Sequence, residues 1–323
     1  MGSSPALLRR EVRQRLAAAG IESADAESAL IVAHALGVEP GRLLFAADPD
    51  DSQLATIAAY TDRRTRREPL QHILGWAGFR RLTLDVGPGV FVPRPETEKL
   101  VDECLDFLGH AVFATGDGAA DGRPQALAVD LCAGSGAIAL ALADEHPGLT
   151  VYAVEREDSA FGWLTRNIDA LSADLHQRGS TVTPVRADAC AAPLPTLDGT
   201  VDLVATNPPY IPSGAVPRDR EVAEFDPPAA LYGGPDGLDL VRCLVVSAAR
   251  LLREGGLLAI EHGDAQGSEA ADGGVPGVLA ADGRFTDIRD VCDLNGRPRV
   301  TLGRRSAARG DYSATRSAQI PRR

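Results

Sequence analysis

Apolar positions in the first part of the chain recur every three or four places. Leu7, Leu8, Val12 and Leu16 form one such stripe and Gly20 closes it, which predicts an amphipathic helix. A second helix is expected from Ser23 as N-cap through Leu30, Ile31 and Leu36, with Gly37 as its stop. A short helical turn over 42–45 follows. Ser52 is then expected to cap a longer helix through Leu54, Ile57 and Ala58 into the cluster Arg63-Arg64-Thr65-Arg66-Arg67. From Trp76 to Pro93 the period changes. Residues 79–86 alternate partly with period two, Gly87-Pro88-Gly89 has turn chemistry, and Val90-Phe91-Val92 reads as extended again, so this stretch is expected to be a β-hairpin connector. Helix resumes after Pro95 to about Leu108, with Glu96 and Glu98 in its first turn, where the helix dipole favours acids. Residues 114–125, rich in Gly, Asp and Ala, read as a flexible loop.

Beyond this loop, strand and helix patterns alternate. Strands are expected at 126–131, 151–155, 181–186, 201–206, 256–261, 285–292 and 297–302, and helices near 136–145, 158–175, 238–252 and 267–280. Such alternation predicts an α/β fold around a doubly wound, mostly parallel sheet of seven strands. Asn295-Gly296 between the last two strands is a hairpin signal, so one edge is expected to be antiparallel. The organisation read from these patterns is a helical bundle over 1–75 that recognises substrate, a hairpin linker over 76–95, an α/β domain over 96–303 and a disordered basic tail over 304–323.

Composition changes this picture only in places. A chain of 323 residues with 44% apolar content has material for a sizeable core and more than one domain. No window holds 18 uninterrupted apolar residues, and the N-terminus lacks a secretory pattern. The five cysteines are scattered without a CxxC pair, which argues against zinc and against a disulfide framework. A reduced cytoplasmic setting and a monomer are expected. A net charge of −12 opposes general binding to nucleic acid. The arginine cluster at 63–67 and the basic tail, with Arg304 and Arg305 at its start, are read as solvated charge.

The candidate chemistry lies at strand ends. Asn207-Pro208-Pro209-Tyr210 follows the apolar run 201–206. The Asn side chain offers a carbonyl acceptor, the prolines remove two backbone donors, and Tyr210 adds a flat face. Such a cradle can accept both hydrogens of a planar –NH2 group. At the end of the first strand of the α/β region, Asp130 precedes the turn Cys132-Ala133-Gly134-Ser135-Gly136, whose glycines let a ligand approach the backbone at a helix N-terminus. Glu155, about 20 residues further at the next strand end, is placed to hold ribose hydroxyls. Asp130 is expected to face a cationic or amine-bearing ligand, which favours S-adenosylmethionine over a pyrophosphate. Asp188, before Ala189, has two readings: an acceptor for the adenine amino group, or an Asx turn.

These residues resemble the successive motifs of class I S-adenosylmethionine-dependent methyltransferases. The segments Glu68-Pro69-Leu70-Gln71-His72-Ile73-Leu74-Gly75, Phe91-Val92-Pro93-Arg94-Pro95-Glu96-Thr97-Glu98, Asn207-Pro208-Pro209-Tyr210-Ile211-Pro212 and Leu231-Tyr232-Gly233-Gly234-Pro235-Asp236-Gly237-Leu238 further resemble the HemK/PrmC group, the peptide chain release factor glutamine N5-methyltransferases. The resemblance spans about residues 5 to 303. It implies a helical bundle, a hairpin linker and a Rossmann-like methyltransferase domain. It also implies S-adenosylmethionine as methyl donor and release factors as protein partners. The family's cofactor loop usually begins Gly-Thr where this chain has Cys132-Ala133, and Ala189 replaces what is often a bulky residue.

On this reading Asn207 and Pro208 accept the two hydrogens of a glutamine amide, with Pro209 and Tyr210 completing the substrate cradle. Asp130, residues 132–136, Glu155, Asp188, Ala189 and Asn207 hold the cofactor. Arg94 contacts the protein substrate or makes a salt bridge within the linker. Residues 221–239 read as a lid, and His262 as a satisfied strand-end residue. Two other methyl acceptors fit the same tetrapeptide: the glutamine of a ribosomal protein, and adenine N6 in nucleic acid.

Overall fold

The computed structural model describes residues 4–114 and 126–307. The loop expected at 114–125 and the tail beyond 307 thus fall almost wholly outside the described residues. Four helices form the N-terminal layer: α1 (Pro5–Ala18), α2 (Ala24–Leu36), α3 (Asp51–Thr65) and α4 (Leu70–Leu74), with a 3-10 turn over Pro40–Phe45. Leu8, Leu16, Ile31, Val32, Ile57 and Leu70 fill the space between them. Gly37 ends α2 in the left-handed conformation, as its position predicts. The cap of α3 differs from expectation. Asp50, and not Ser52, is the N-cap: its carboxylate accepts from the Gln53 N–H at 2.8 Å, and Gln53 Oε1 accepts from the Asp50 N–H at 3.0 Å. This reciprocal pair satisfies two helix-end donors at once, which Ser52 with Ala55 three residues on cannot do.

The arginine cluster is not simply solvated. Arg64 is only 6% exposed and lies between Glu27 (2.6 Å) and Glu221 (2.9 Å), while Arg67 reaches Glu221 at 2.8 Å. Arg63 pairs with Glu68. The acids that bury this charge come from distant positions, so local pattern does not show them.

The linker hairpin pairs β1 (Trp76–Phe79) with β2 (Leu82–Asp85) in antiparallel register. Its turn is at Arg80 and Arg81, where Arg80 adopts φ 52°, and Arg80 is held there by Glu98, Asp102 and Glu145. Gly87-Pro88-Gly89 turns the chain without joining strands. Val90 and Val92 are buried against Val86 and Ala160 but pair with no strand.

The large sheet contains β3 (Leu127–Leu131), β4 (Thr150–Glu155), β5 (Thr181–Arg186), β6 (Val201–Thr206), β7 (Leu252–Glu261), β8 (Phe285–Cys292) and β9 (Pro298–Arg305). The order is β5-β4-β3-β6-β7-β9-β8, with β9 antiparallel to both neighbours. This is the expected mostly parallel seven-stranded sheet with an antiparallel edge. Around it lie α5 (Glu98–Ala114), α6 (Ala137–Glu145), α7 (Asp158–Gln177), α8 (Arg220–Phe225), α9 (Asp239–Leu251) and α10 (Gly274–Asp282). The final helix begins seven residues later than its apolar pattern suggests. Gly273, its N-cap, and Gly274, its first residue, have φ of 81° and 54°, left-handed values that stop a right-handed helix from running in from 267. The last strand runs past residue 303 to Arg305. Arg304 stacks over Phe107 at 4.4 Å, and Arg305 Nε donates to the Ala249 carbonyl at 2.8 Å. Both belong to the sheet and not to a solvated tail.

Two apolar layers sandwich the sheet. One is centred on α6 with Leu100, Leu140, Leu142 and Leu164, the other on α9 with Val241, Leu244, Leu258 and Ile260. Cys190 and Cys243, expected to be reduced, are joined in a disulfide that ties the loop after β5 to α9. Their separation of 53 residues gives no sequence signal of the pairing. Among the described residues, no helix is long and apolar enough to cross a membrane.

Candidate active site

Strand order reverses at β3, with β4 on one side and β6 on the other. Open parallel sheets carry their ligand crevice at the carboxyl ends of such strands. A cavity of about 820 Å³ opens there, and the turns after β3, β4 and β6 line it together.

The first wall is the glycine turn. Cys132, Ala133, Gly134 and Ser135 line the cavity, and the chain reaches this shape through left-handed φ at Cys132, Gly134 and Gly136 (67°, 57° and 88°). Gly136 lies behind the wall. A Cβ on it would collide with Leu164 and crowd Leu140, so it fixes the close packing of the turn on α7 and does not itself line the cavity. Glu155, at the tip of β4, is 8% exposed and lines the cavity. Its Oε2 accepts from the Gly134 N–H at 2.9 Å, and its Oε1 accepts from the Arg156 and Glu157 N–H groups at 2.7 Å. Three backbone donors lock the carboxylate in place while leaving lone pairs toward the cavity.

Asp130 departs from its expected place. It is fully buried and does not line the cavity. Its Oδ2 accepts from the Ala139 N–H at 3.1 Å, one of the free donors in the first turn of α6. Burial pushes its carboxyl up to about 8. The side chain points beneath the glycine turn because the open helix end lies there, so Asp130 braces the loop from below the cavity wall. Asp188 makes the Asx turn, its Oδ1 accepting from the Cys190 N–H at 2.8 Å, and it also lines the cavity beside Ala187 and Ala189.

The opposite wall is the tetrapeptide. Asn207, Pro208, Pro209 and Tyr210 all line the cavity. The Tyr210 carbonyl accepts from Gln266 Nε2 at 2.9 Å. Ile211 N–H donates to the Leu231 carbonyl at 2.8 Å, and Gly233 N–H donates to the Ile211 carbonyl at 2.9 Å. Gly233 allows this contact: a Cβ there would run into the Pro209 and Gly237 carbonyl oxygens. Burial raises the Tyr210 phenol well above its usual range, so it stays protonated.

Two residues overlooked in the sequence complete this wall. Thr97 Oγ1 accepts from Asn207 Nδ2 at 3.2 Å. Behind them Glu261, at the end of β7, is 1% exposed, and burial pushes its carboxyl up to about 7 against the opposing pull of Thr97, Arg299 and Asn207. An acid at a strand end beside β6 is the signal that finds it.

Arg94 lines the cavity, but its guanidinium is engaged: Nη2 lies 2.8 Å from Asp226 Oδ2, and the group stacks over Phe91 at 4.9 Å. Burial raises the Asp226 carboxyl to about 6, against the pull of Arg94. Residues 221–239 wall the cavity through Val222, Pro227, Leu231 and Leu238. They are fastened to the bundle through Glu221, and further along to Ile211, just past the tetrapeptide, through Leu231 and Gly233. His262 is buried, with Nδ1 at 2.9 Å from the Gly263 carbonyl and Nε2 at 3.2 Å from Asp290, the satisfied strand-end residue expected of it.

Known proteins share these features. Residues 8–75 match the family described as the PrmC N-terminal domain, and residues 119–223 match the methyltransferase small domain. The chain is similar to a release factor glutamine methyltransferase of Mycolicibacterium smegmatis, at 44% identity over 90% of this chain and 94% of the relative. A Streptomyces coelicolor protein of the same name is 43% identical over 92% of this chain and 96% of its own. Similarity extends to a 4-amino-L-phenylalanine/4-methylamino-L-phenylalanine methyltransferase of Streptomyces pristinaespiralis, at 39% identity over 88% and 90%. Among solved structures, the N-terminal domain of human METTL16 in complex with SAH aligns with TM-score 0.45 and 15% identity over 68% of this chain and 74% of that one. With such identity across nearly the whole of both chains, and with the cavity built as described, the protein belongs to the release factor glutamine methyltransferase family.

Proposed function

We propose that this enzyme transfers a methyl group from S-adenosylmethionine to the side-chain amide nitrogen of the glutamine in the Gly-Gly-Gln motif of a peptide chain release factor. One observation carries the reading. The Asn207 side chain is held by its nitrogen at Thr97, which leaves its oxygen for the same cavity that Glu155 and the glycine turn enter from the other side.

The residues present fit the cofactor. Glu155 is a fixed carboxylate suited to a ribose diol, Gly134 leaves open space at the backbone, and Ala187, Asp188 and Ala189 offer a flat, partly polar slot for adenine. S-adenosylmethionine, when bound, supplies an electrophilic methyl group on a sulfonium. The chain's own residues do the rest. Asn207 Oδ1 and the Pro208 carbonyl accept the two hydrogens of the primary amide. They aim its nitrogen and place negative potential where positive charge develops. Tyr210, protonated and mostly buried, packs on the amide plane. The nitrogen gains the methyl and then loses one proton to solvent. An N-methylated, protonated amide is acidic enough to need no strong base, which agrees with His262 being neutral and occupied elsewhere.

The test is transfer of labelled methyl to purified release factor, with the motif glutamine changed to alanine as control. Label that persists in the altered factor, or that appears instead in ribosomal protein, in nucleic acid or in an aromatic amine such as 4-aminophenylalanine, removes this substrate.

A further inference from the structure

Glu261 has no part in the chemistry above, yet the sheet delivers it to the reacting group. Thr206 of β6 pairs with Ile260 of β7, so the next residues along, Asn207 and Glu261, leave the sheet side by side. Glu261 is almost fully buried, and its Oε2 has no hydrogen-bond partner among the described residues. Thr97, from the turn ahead of α5, sits between them. Its hydroxyl oxygen accepts from Asn207 Nδ2, so its own proton is free to be given, and the Glu261 carboxylate is the group that draws on it. The surrounding charges are Arg299 from β9 and Glu96 from the turn that holds Thr97. The Tyr210 phenol lies within reach of the carboxylate's charge, and burial lowers the pKa of the adjoining His262.

We propose that Glu261 is a positioning residue: acting with Thr97, its carboxylate holds the Asn207 amide with nitrogen inward and oxygen toward the cavity, and its charge polarises that oxygen into a stronger acceptor. A flipped amide would set its oxygen against the carboxylate, an arrangement that repels. Hydrogen bonds in series strengthen one another when one end is ionised. The inference rests on Asn207 being the acceptor for the substrate amide.

The experiment uses the full chain with nitrogen-15 asparagine. The sequence holds three asparagines, Asn167, Asn207 and Asn295, so three side-chain amide signals are resolved, and Asn207→Ala identifies the one of interest. That signal is expected to shift with pH with a midpoint near 7, following the Glu261 carboxyl. Glu261→Gln abolishes the shift, and Thr97→Ser, which keeps the hydroxyl, retains it. In methyl transfer, wild-type kcat rises as pH increases through this midpoint because the carboxylate is the active form. Glu261→Gln flattens that limb, lowers kcat by about 10²-fold, the order a misplaced group costs, and leaves KM for S-adenosylmethionine unchanged. Thr97→Val reproduces the kcat loss and serves if Glu261→Gln does not fold. An Asn207 signal indifferent to pH, or wild-type kcat in both Glu261→Gln and Thr97→Val, overturns the proposal. The resonance needs no methyl acceptor: a titrating Asn207 signal without glutamine methylation upholds the positioning and removes only the substrate assignment.

Discussion

Arg94→Ala and Asp226→Asn break the same ion pair, and the structure predicts that they differ in effect. The acid side chain is fully buried and the arginine side chain is 26% exposed. Removing the arginine strands a carboxylate in the interior. Breaking a buried pair from one side costs about 3–5 kcal/mol, and the partial exposure of Arg94 places this case near about 3 kcal/mol. Neutralising the acid instead leaves a guanidinium that can turn to water and still stack on Phe91, at about 1–2 kcal/mol for the lost hydrogen bond. The double variant buries no lone charge, so it is expected to be more stable than Arg94→Ala alone. At about 2–4 °C per kcal/mol, Tm falls by roughly 6–12 °C in Arg94→Ala, and by only a few degrees in Asp226→Asn and in the double variant. The sign with pH follows from the raised carboxyl. Asp226 binds its proton more tightly folded than unfolded, and more so once Arg94 is gone. Stability of Arg94→Ala therefore falls as pH rises through and above about 6 and recovers on acidification. Scanning fluorimetry of the four proteins at about pH 5.5 and 8 reads this directly. Since the pair fixes a cavity wall, both single variants should raise KM for the protein substrate. A double variant no more stable than Arg94→Ala would refute the reasoning. So would an Arg94→Ala enzyme that loses activity at unchanged Tm, which would make the arginine a substrate contact.

Asn207→Ala is expected to lower kcat by about 10²–10³-fold, the scale of removing one preorganised polar group, with S-adenosylhomocysteine affinity by calorimetry left unchanged. Glu155→Ala should weaken that affinity by about 1.5–3 kcal/mol, one hydrogen bond to a charged group; an unaltered Kd takes Glu155 out of the cofactor site. Arg64→Ala leaves Glu27 without its buried partner and should destabilise the chain by about 3–5 kcal/mol, seen as a lower denaturation midpoint. Gly233→Ala drives a methyl into the Pro209 carbonyl, and overpacking of about 1–3 kcal/mol should lower Tm and kcat together.

The sheet was legible because parallel strands buried on both faces read as short apolar runs, and the glycine turn, Glu155 and the tetrapeptide stand at their ends. What escaped depends on partners far apart in the chain. Asp130 looked like a ligand contact because it precedes the turn, yet the strand's alternation points its side chain under the loop toward α6. The arginines at 63–67 looked solvated because Glu221 lies more than 150 residues away. Thr97 and Glu261 were missed because their link to Asn207 is not local: the β6–β7 register and the turn before α5 bring them together. The Cys190–Cys243 link was hidden for the same reason.

The Arg64–Glu221–Arg67 cluster bears on how such enzymes can be recombined. The acid that completes the bundle's charge balance is encoded in the catalytic half, in the first turn of α8. A chimera that took its bundle from one homologue and its catalytic half from another would need matching residues at 27, 64, 67 and 221, or the cavity wall formed by 221–239 would lose its fastening to the bundle. A crossover point that separates these four positions is therefore expected to leave a charge in the cluster without its partner.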